Sequence, residues 1–428
     1  MTNLDVWLET FDRPLGYLVS GDDDAVRFRY SEDYLTTRGA HPISLSLPLS
    51  AEAFSDRATR AYFQNLLPEN NQLDQIIERE HLERSDVAGI LYYLGADLSG
   101  AISCLPEGSA PVKAPGQLSD DYDAIDELQL LDIVERLGNN RPLPNELRDP
   151  SPVSGYQRKV ALTLLPDGSY AVPRAGTGAP TTHILKVPEV SFPREAFYEA
   201  ICARLARHVG LDAAPSSSFW VGNFEVILAE RFDRRVEGNA VHRVHQEDFA
   251  QALGLPPRLK YQREGSPGRV FDLESVASVL RRTAGPAIAV DSFLRSTIFN
   301  LAIGNTDNHA KNHALLYEGG ASPRLAPLYD LVPITLSEVH NHRLSFSIGK
   351  AQLPDEVSAE DIAVLLAQFD LRGPATRRFV AQRLIPMIEP LAAHRDIVES
   401  DWTARFDEQL GVRSRRLLDE LGKLAAAE

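Results

Sequence analysis

Apolar and polar residues alternate with a period of two across residues 6–11, 15–19, 25–30 and 43–49. Alternation of this kind puts the apolar side chains on one face, the mark of a half-buried strand. Gly21-Asp22-Asp23-Asp24 reads as a turn between two of these strands. Helical periodicity follows over 56–82, with a break expected around Pro68. A shorter helix is predicted from Ser85, a good N-cap, to Gly95. Residues 106–121, rich in Pro, Gly and Ser, read as a linker.

The pattern changes beyond Arg148. Apolar strands at 158–165 and 169–173 flank Asp167-Gly168, a hairpin signal. A third strand, 182–187, carries Lys186 among Ile184, Leu185 and Val187. Residues 193–208 read as a helix ended by Gly210. Strands 217–221 and 224–230 follow, joined by Gly222-Asn223. The order strand, strand, lysine strand, helix, strand, strand suits a small nucleotide-clamping lobe. In that lobe Glu199, on the helix, would orient Lys186 as an ion pair, although a glutamate on an amphipathic helix is as often a surface residue. The last strand runs into Glu230-Arg231-Phe232-Asp233-Arg234, where a hinge would fall. Backbone groups near Arg231 and Phe232 would read an adenine edge, and Asp233 would meet a ribose; an exposed charged turn is the plainer reading. From Gln246 onward helices dominate (247–253, 273–282, 290–303), and 313–317 with 324–328 look like a hairpin that delivers Asp330.

Composition narrows the function. A chain of 428 residues has room for two or three domains. Its two cysteines, Cys104 and Cys202, cannot make a disulfide framework and suit a reducing cytosol. No apolar run approaches membrane-spanning length, and the first residues lack a secretory pattern. A net charge of −16 argues against broad direct contact with nucleic acid.

The chemistry concentrates in Gly304-Asn305-Thr306-Asp307-Asn308-His309-Ala310-Lys311-Asn312. Asn-Thr-Asp-Asn is turn-prone, and alone Asp307 reads as a turn residue. Yet Asp307 and Asn312 have the Asp-x-x-x-x-Asn spacing of a phosphotransfer loop, and Tyr329-Asp330 follows the hairpin. Phosphoryl transfer needs a base for the acceptor hydroxyl, oxygen ligands for Mg2+ and a cation on the phosphates. Asp307 fits the base, Asn312 and Asp330 the metal ligands, and Lys186 the cation. Lys186 could instead be an edge-strand surface lysine, but its apolar neighbours argue against a solvated face. His309 and His313, four apart with His340 and His342 nearby, leave a zinc site open, although a zinc hydrolase would want Glu where Ala310 stands. His183 reads as a satisfied buried histidine. There is no Walker-type glycine loop and no Gly-x-Ser-x-Gly elbow, and Gly176-Thr177-Gly178 lacks the third glycine of a dinucleotide fingerprint.

Several ordered motifs together resemble the HipA-type serine/threonine kinases, the toxin half of bacterial toxin–antitoxin pairs. They are Ser44 to Leu49, Phe63 to Glu69, Leu94 to Ala101, Gly155-Tyr156-Gln157-Arg158-Lys159, Thr182 to Lys186, Glu230 to Arg234, His245 to Phe249, Asp307 to Asn312 and Tyr329-Asp330. The resemblance implies an α+β, two-lobed protein-kinase-like fold with a β-rich N-terminal subdomain (1–110), a linker and helix (111–148), a nucleotide-clamping lobe (149–234) and a helical lobe (235–428). It implies ATP and Mg2+ as cofactors, with Lys159, Lys186, Glu230, Arg231, Phe232, Asp233 and Asn312 toward the nucleotide. It also implies a bacterial cytoplasmic protein whose substrate is an aminoacyl-tRNA synthetase, notably the glutamyl enzyme, so that translation stops and dormancy follows. The implied partner is a HipB-like helix-turn-helix antitoxin that carries the kinase to operator DNA as a corepressor.

One departure concerns the loop whose serine is autophosphorylated in the family. The usual serine position is Pro152 here, within Ser151-Pro152-Val153-Ser154-Gly155-Tyr156-Gln157. Ser154 is therefore expected to be the modified residue, with Ser151 second; a phosphate there adds nearly two negative charges beside those of ATP. Both could equally be ordinary turn serines. A non-catalytic corepressor on a kinase fold and a small-molecule kinase are the alternative functions.

Overall fold

A computed structural model describes all residues except 1, 22–24, 69–70, 144–157, 190, 320–321, 394–403 and 428. Ser151, Ser154 and the Gly155–Gln157 motif therefore lie outside the described residues, as do the three aspartates of the early turn. The protein is of the expected α+β class, with antiparallel sheets and helices in largely separate stretches. It divides into two compact units that interleave along the chain. The first comprises Met1–Glu189, Ser218–Pro257 and Ala314–Arg324; the second comprises Val190–Ser217, Arg258–His313 and Leu325–Glu428.

The first unit begins with a four-stranded antiparallel sheet in the order Val26–Tyr30, Gly16–Ser20, Asn3–Leu8, Ile102–Pro106. Alternation does its expected work in the strand Val26–Tyr30, where Val26, Phe28 and Tyr30 are buried and Arg27 and Arg29 exposed. Helices Asp56–Phe63 and Val87–Leu94 supply Tyr62, Phe63, Ile90 and Leu91 to this core. Each such side chain contributes roughly 1.5–3 kcal/mol on burial. The helical run over 56–82 breaks as expected, into Asp56–Phe63, a 3-10 turn and Asn71–Arg79. The next helix is capped by Asp86, which accepts from the Gly89 amide, and not by Ser85.

Residues 43–49 do not form the expected strand. Their alternation buries Ile43, Leu45 and Leu47, but the backbone is satisfied by side chains. The Leu45 amide donates to Glu247, the Ile43 amide to the Tyr30 hydroxyl and the Ser46 amide to the Ser44 hydroxyl. The strand Ile102–Pro106, absent from the sequence reading, lies beside Asn3–Leu8 instead. The stretch read as a linker is likewise pinned. Gly116–Gln117 pairs with the strand Ala240–Arg243, and Lys113 reaches Asp97 at 3.4 Å.

The second sheet of this unit follows the order Ser216–Val221, Phe224–Glu230, His183–Val187, Arg158–Leu164, Tyr170–Pro173, Tyr122–Ala124. Gly168, at φ 87°, turns the expected hairpin. Helix Glu127–Gly138 covers one face, packing Ile133, Val134 and Leu137 on Val160, Leu162, Leu185, Val187 and Leu228. A third pairing joins His245–Asp248 to Ala314–Tyr317. This strand replaces the first turn of the helix expected at 247–253; Asp248 then caps a helix of only four residues, Phe249–Ala252.

The second unit is helical. Its central helix, Pro286–Ile303, starts on Pro286 at the position where a missing amide costs nothing, and from Phe293 onward it is buried almost all round. Gly304 ends it at φ 76°; a Cβ there would sit 2.1 Å from the Thr335 hydroxyl, so only glycine fits. Helix Ala404–Ala426 packs on this helix and on Ile385–Ala392. Glu195–His208, the helix expected between the third and fourth strands, belongs to this unit, where the Tyr198 ring lies 5.7 Å from that of Phe406. Glu199 is buried on it.

Candidate active site

Two sets of residues carry the expected chemistry, one in each unit. In the first unit Lys159 and Lys186 are directly opposed across antiparallel strands, and Ile227 faces Lys186 from the next strand. Directly opposed residues share a face, so both ammonium groups rise from the side of the sheet away from helix Glu127–Gly138. The next row on that face is Ala161, Ile184 and Ala229, all apolar. Lys159 is 8% exposed. The face is cationic at one end and apolar beyond.

The five-residue stretch expected to be a hinge is largely committed elsewhere. The Arg231 amide donates to the Thr182 carbonyl at 2.9 Å, and its own carbonyl accepts from the Arg234 amide. Of the backbone groups near Arg231 and Phe232 expected to read an adenine edge, the Arg231 amide is thus already engaged. Asp233 is buried with its carboxylate held by Arg231 at 2.9 and 3.0 Å, by Arg234 at 3.0 Å and by the Gly100 amide at 3.0 Å. Burial alone would raise its pKa, but the two guanidiniums hold it well below the usual carboxylate range. A ribose hydroxyl, the contact expected of Asp233, would have to compete with these partners. Arg243 extends the network, bonding Gly100, Leu98 and Ile102 carbonyls and facing Asp97 at 3.4 Å. Glu230 is exposed and Phe232 half-buried beside this cluster.

In the second unit the loop after Gly304 is built around Asn305, which is 3% exposed. Its carbonyl oxygen accepts from the Asp307 amide at 3.1 Å, and its amide donates to the Asp330 carbonyl at 3.4 Å and to Asn300 Oδ1 at 3.1 Å. One buried side chain thus ties both aspartates to the central helix. Asn312 Nδ2 donates to the Asp307 carbonyl at 2.8 Å, so the Asp-x-x-x-x-Asn spacing closes a tight ring. The Tyr329 hydroxyl donates to the Lys311 carbonyl at 2.6 Å, anchoring the segment of Asp330 beside that of Asn312. Asp330 has φ 58°, a left-handed conformation that a non-glycine residue adopts at a cost of roughly 1–3 kcal/mol. Asn305 belongs to the motif, but nothing in the sequence marks its clamping role.

Asp307 is half-buried, and burial raises its pKa; Asp330 adds to the rise, while the Tyr261 hydroxyl, at 2.6 Å from Oδ1, lowers it. Lys260 and His340 also face this carboxylate and favour its charged form. Tyr261 lies 46 residues upstream and carried no motif. Asp330 and Asn312 offer a carboxylate and an amide oxygen, the hard donors Mg2+ takes alongside phosphate oxygens. Zinc does not fit. His313 is enclosed by Phe271 and Phe293, with its pKa pushed down to about 4 by burial, whereas His309 packs edge-on to Tyr261. Among the described residues no three His, Cys, Asp or Glu side chains are grouped to hold a metal. His183 is bonded to the Thr182 hydroxyl at 2.8 Å, as a satisfied histidine should be.

Comparison with known proteins adds to this geometry. A family model for the HipA N-terminal domain matches residues 4–105, and one for the HipA-like C-terminal domain matches residues 151–389. The chain is 35% identical to the Sinorhizobium fredii protein Y4mE over 392 residues, 91% of each chain. It is 28% identical to the serine/threonine-protein kinase toxin HipA of Shewanella oneidensis, over 96% of each. The Shewanella oneidensis HipA solved with HipB and operator DNA superposes with a TM-score of 0.82, covering 99% of this chain and 100% of that one at 24% identity, a likeness of fold. No helix among the described residues is long and apolar enough to cross a membrane.

Proposed function

The chain belongs to the HipA family, and from that premise we propose that it is an ATP-dependent serine/threonine protein kinase acting as a toxin. Asp307 accepts the proton of the acceptor hydroxyl. Asn312 and Asp330 hold Mg2+, and Lys186 and Lys159 hold the nucleotide phosphates, with Glu230 and Phe232 toward the base. Magnesium, when bound, neutralises the charge that develops on the transferred phosphoryl group. The observation that carries the reading is the Asn305 clamp, which fixes the candidate base and the candidate metal ligand in one frame.

The acceptor is proposed to be an aminoacyl-tRNA synthetase, the glutamyl enzyme first, with arrest of translation as the outcome and the cytoplasm as the place. The partner is proposed to be a HipB-like helix-turn-helix antitoxin; the relative of like fold is seen with HipB and operator DNA. A net charge of −16 favours a basic partner between this chain and DNA. Ser154, then Ser151, is the proposed site of self-modification.

The test is transfer of radiolabelled phosphate from Mg-ATP to bacterial extract. Asp307→Asn should lower labelling by on the order of a thousandfold with an unchanged thermal midpoint. Equal labelling by both proteins would favour a non-catalytic corepressor. Phosphopeptides from the native reaction report on Ser154 and Ser151.

A further inference from the structure

Asp307 is restrained at every rotatable point but one oxygen. Its amide is held by Asn305, and its carbonyl by the amides of His309 at 2.9 Å and Asn312 at 2.8 Å. The carboxylate itself is turned by Tyr261, whose hydroxyl donates to Oδ1.

Tyr261 is in turn built in. The carbonyl of Lys260 accepts from the Ala310 amide at 3.0 Å, and the Gln262 amide donates to Ser345 at 2.9 Å. The Gln262 side chain accepts from the Ser347 amide at 2.6 Å. The Arg263 guanidinium lies 3.9 Å above the Tyr261 ring, and His309 meets it edge-on at 5.1 Å. The residue before and the residue after the tyrosine are thus tied to different loops, and its ring is bracketed by a cation and by a residue of the Asp307 motif.

A hydroxyl placed with this many restraints on a candidate base is more than a filler of hydrogen-bonding capacity. A carboxylate with one oxygen fixed presents its other oxygen in one direction, and a proton acceptor works only in that direction. We propose that Tyr261 is the positioning residue of this kinase, holding Oδ1 of Asp307 so that Oδ2 faces the acceptor hydroxyl. His309, read from the sequence as a possible metal ligand, then serves as a wall for the tyrosine ring. The inference rests on the kinase reading above, and the experiment separates the two.

Turnover of Mg-ATP and label transfer would be measured for the native full chain, Tyr261→Phe, Asp307→Asn and the double variant. Tyr261→Phe keeps the ring and removes the hydroxyl. It should lower kcat on the order of tenfold, with KM for ATP and the thermal midpoint unmoved. In the Asp307→Asn background the same change should cost nothing more, because Tyr261 acts through that carboxylate. A Tyr261→Phe protein with native kcat overturns the positioning role alone. So does a further loss in the double variant, or a loss that comes with a raised KM, since either marks a general structural effect. A native chain without turnover, or an Asp307→Asn chain with full turnover, overturns the kinase reading beneath it.

Discussion

Asp233 in the first unit and Asp307 in the second are both drawn away from water, and their surroundings have opposite consequences. Asp233 meets two guanidiniums and a backbone amide, which hold its pKa well below the usual carboxylate range against the effect of burial. Burial raises the pKa of Asp307 and the field of Asp330 adds to the rise, while the Tyr261 phenol, Lys260 and His340 moderate it. A carboxylate saturated with cations is part of the scaffold. One left with a single neutral donor and a raised proton affinity is equipped to take a proton. The difference shows that burial and charge alone do not mark a site; the identity of the partners does.

Removing the scaffold carboxylate should have the largest effect. Asp233→Ala strands Arg231 and Arg234 in the interior and should destabilise by about 3–5 kcal/mol. Denaturant midpoints would show it, while label transfer per folded molecule stays native. A stability loss under ~1 kcal/mol would remove Asp233 from the scaffold. Asp307→Asn, described above, should show the reverse pattern.

Lys186→Met tests the cationic face and should come next in size. Transfer should fall on the order of a hundredfold in kcat/KM for ATP. The thermal midpoint, measured alongside, separates loss of the cation from loss of the fold. Native kcat/KM would take the lysine pair out of the nucleotide seat.

Glu247 sharpens the comparison, because it is buried like Asp233 but surrounded by neutral donors like Asp307. The Leu45 amide at 2.9 Å and the Tyr317 hydroxyl at 2.6 Å bond it, and burial pushes its pKa up to about 7. A carboxyl whose folded pKa lies above its unfolded value stabilises fully below the unfolded value and loses that contribution as pH rises to about 7. Neighbouring His245, driven down to about 3 by burial, works in the opposite direction. Glu247→Gln keeps the acceptor and removes the charge. It should match the native chain at about pH 4 and exceed it by roughly 3 kcal/mol at pH 8. Unfolding curves that stay parallel across that range would show that Glu247 does not titrate in the folded protein.

Much of the fold was legible along the chain. Period-two alternation located Gly16–Ser20 and Val26–Tyr30, turn signals located Arg158–Leu164 and Phe224–Glu230, and Gly168, Gly210 and Gly222 marked turns or ends where a positive φ is needed. The Ile43–Leu49 misreading has a definite cause. Alternation reports which side chains are buried, and it is silent on whether a neighbouring strand or a side chain such as Glu247 takes up the backbone amides. The Gly304–Asn312 loop was readable because its residues are consecutive and their chemistry is specific.

The chain itself therefore determined the candidate reaction: the spacing of Asp307 and Asn312, the later Asp330 and a lysine on an apolar strand state which groups phosphoryl transfer can draw on. Tertiary structure decided which of the quoted residues remain available for it. Arg231 and Asp233 are engaged by partners up to 133 residues away, and Tyr261 reaches Asp307 across 46 positions. Hydrogen bonds and ion pairs are formed through space, so a residue's partners, and with them its proton affinity and its freedom to act, follow from the packing of distant segments.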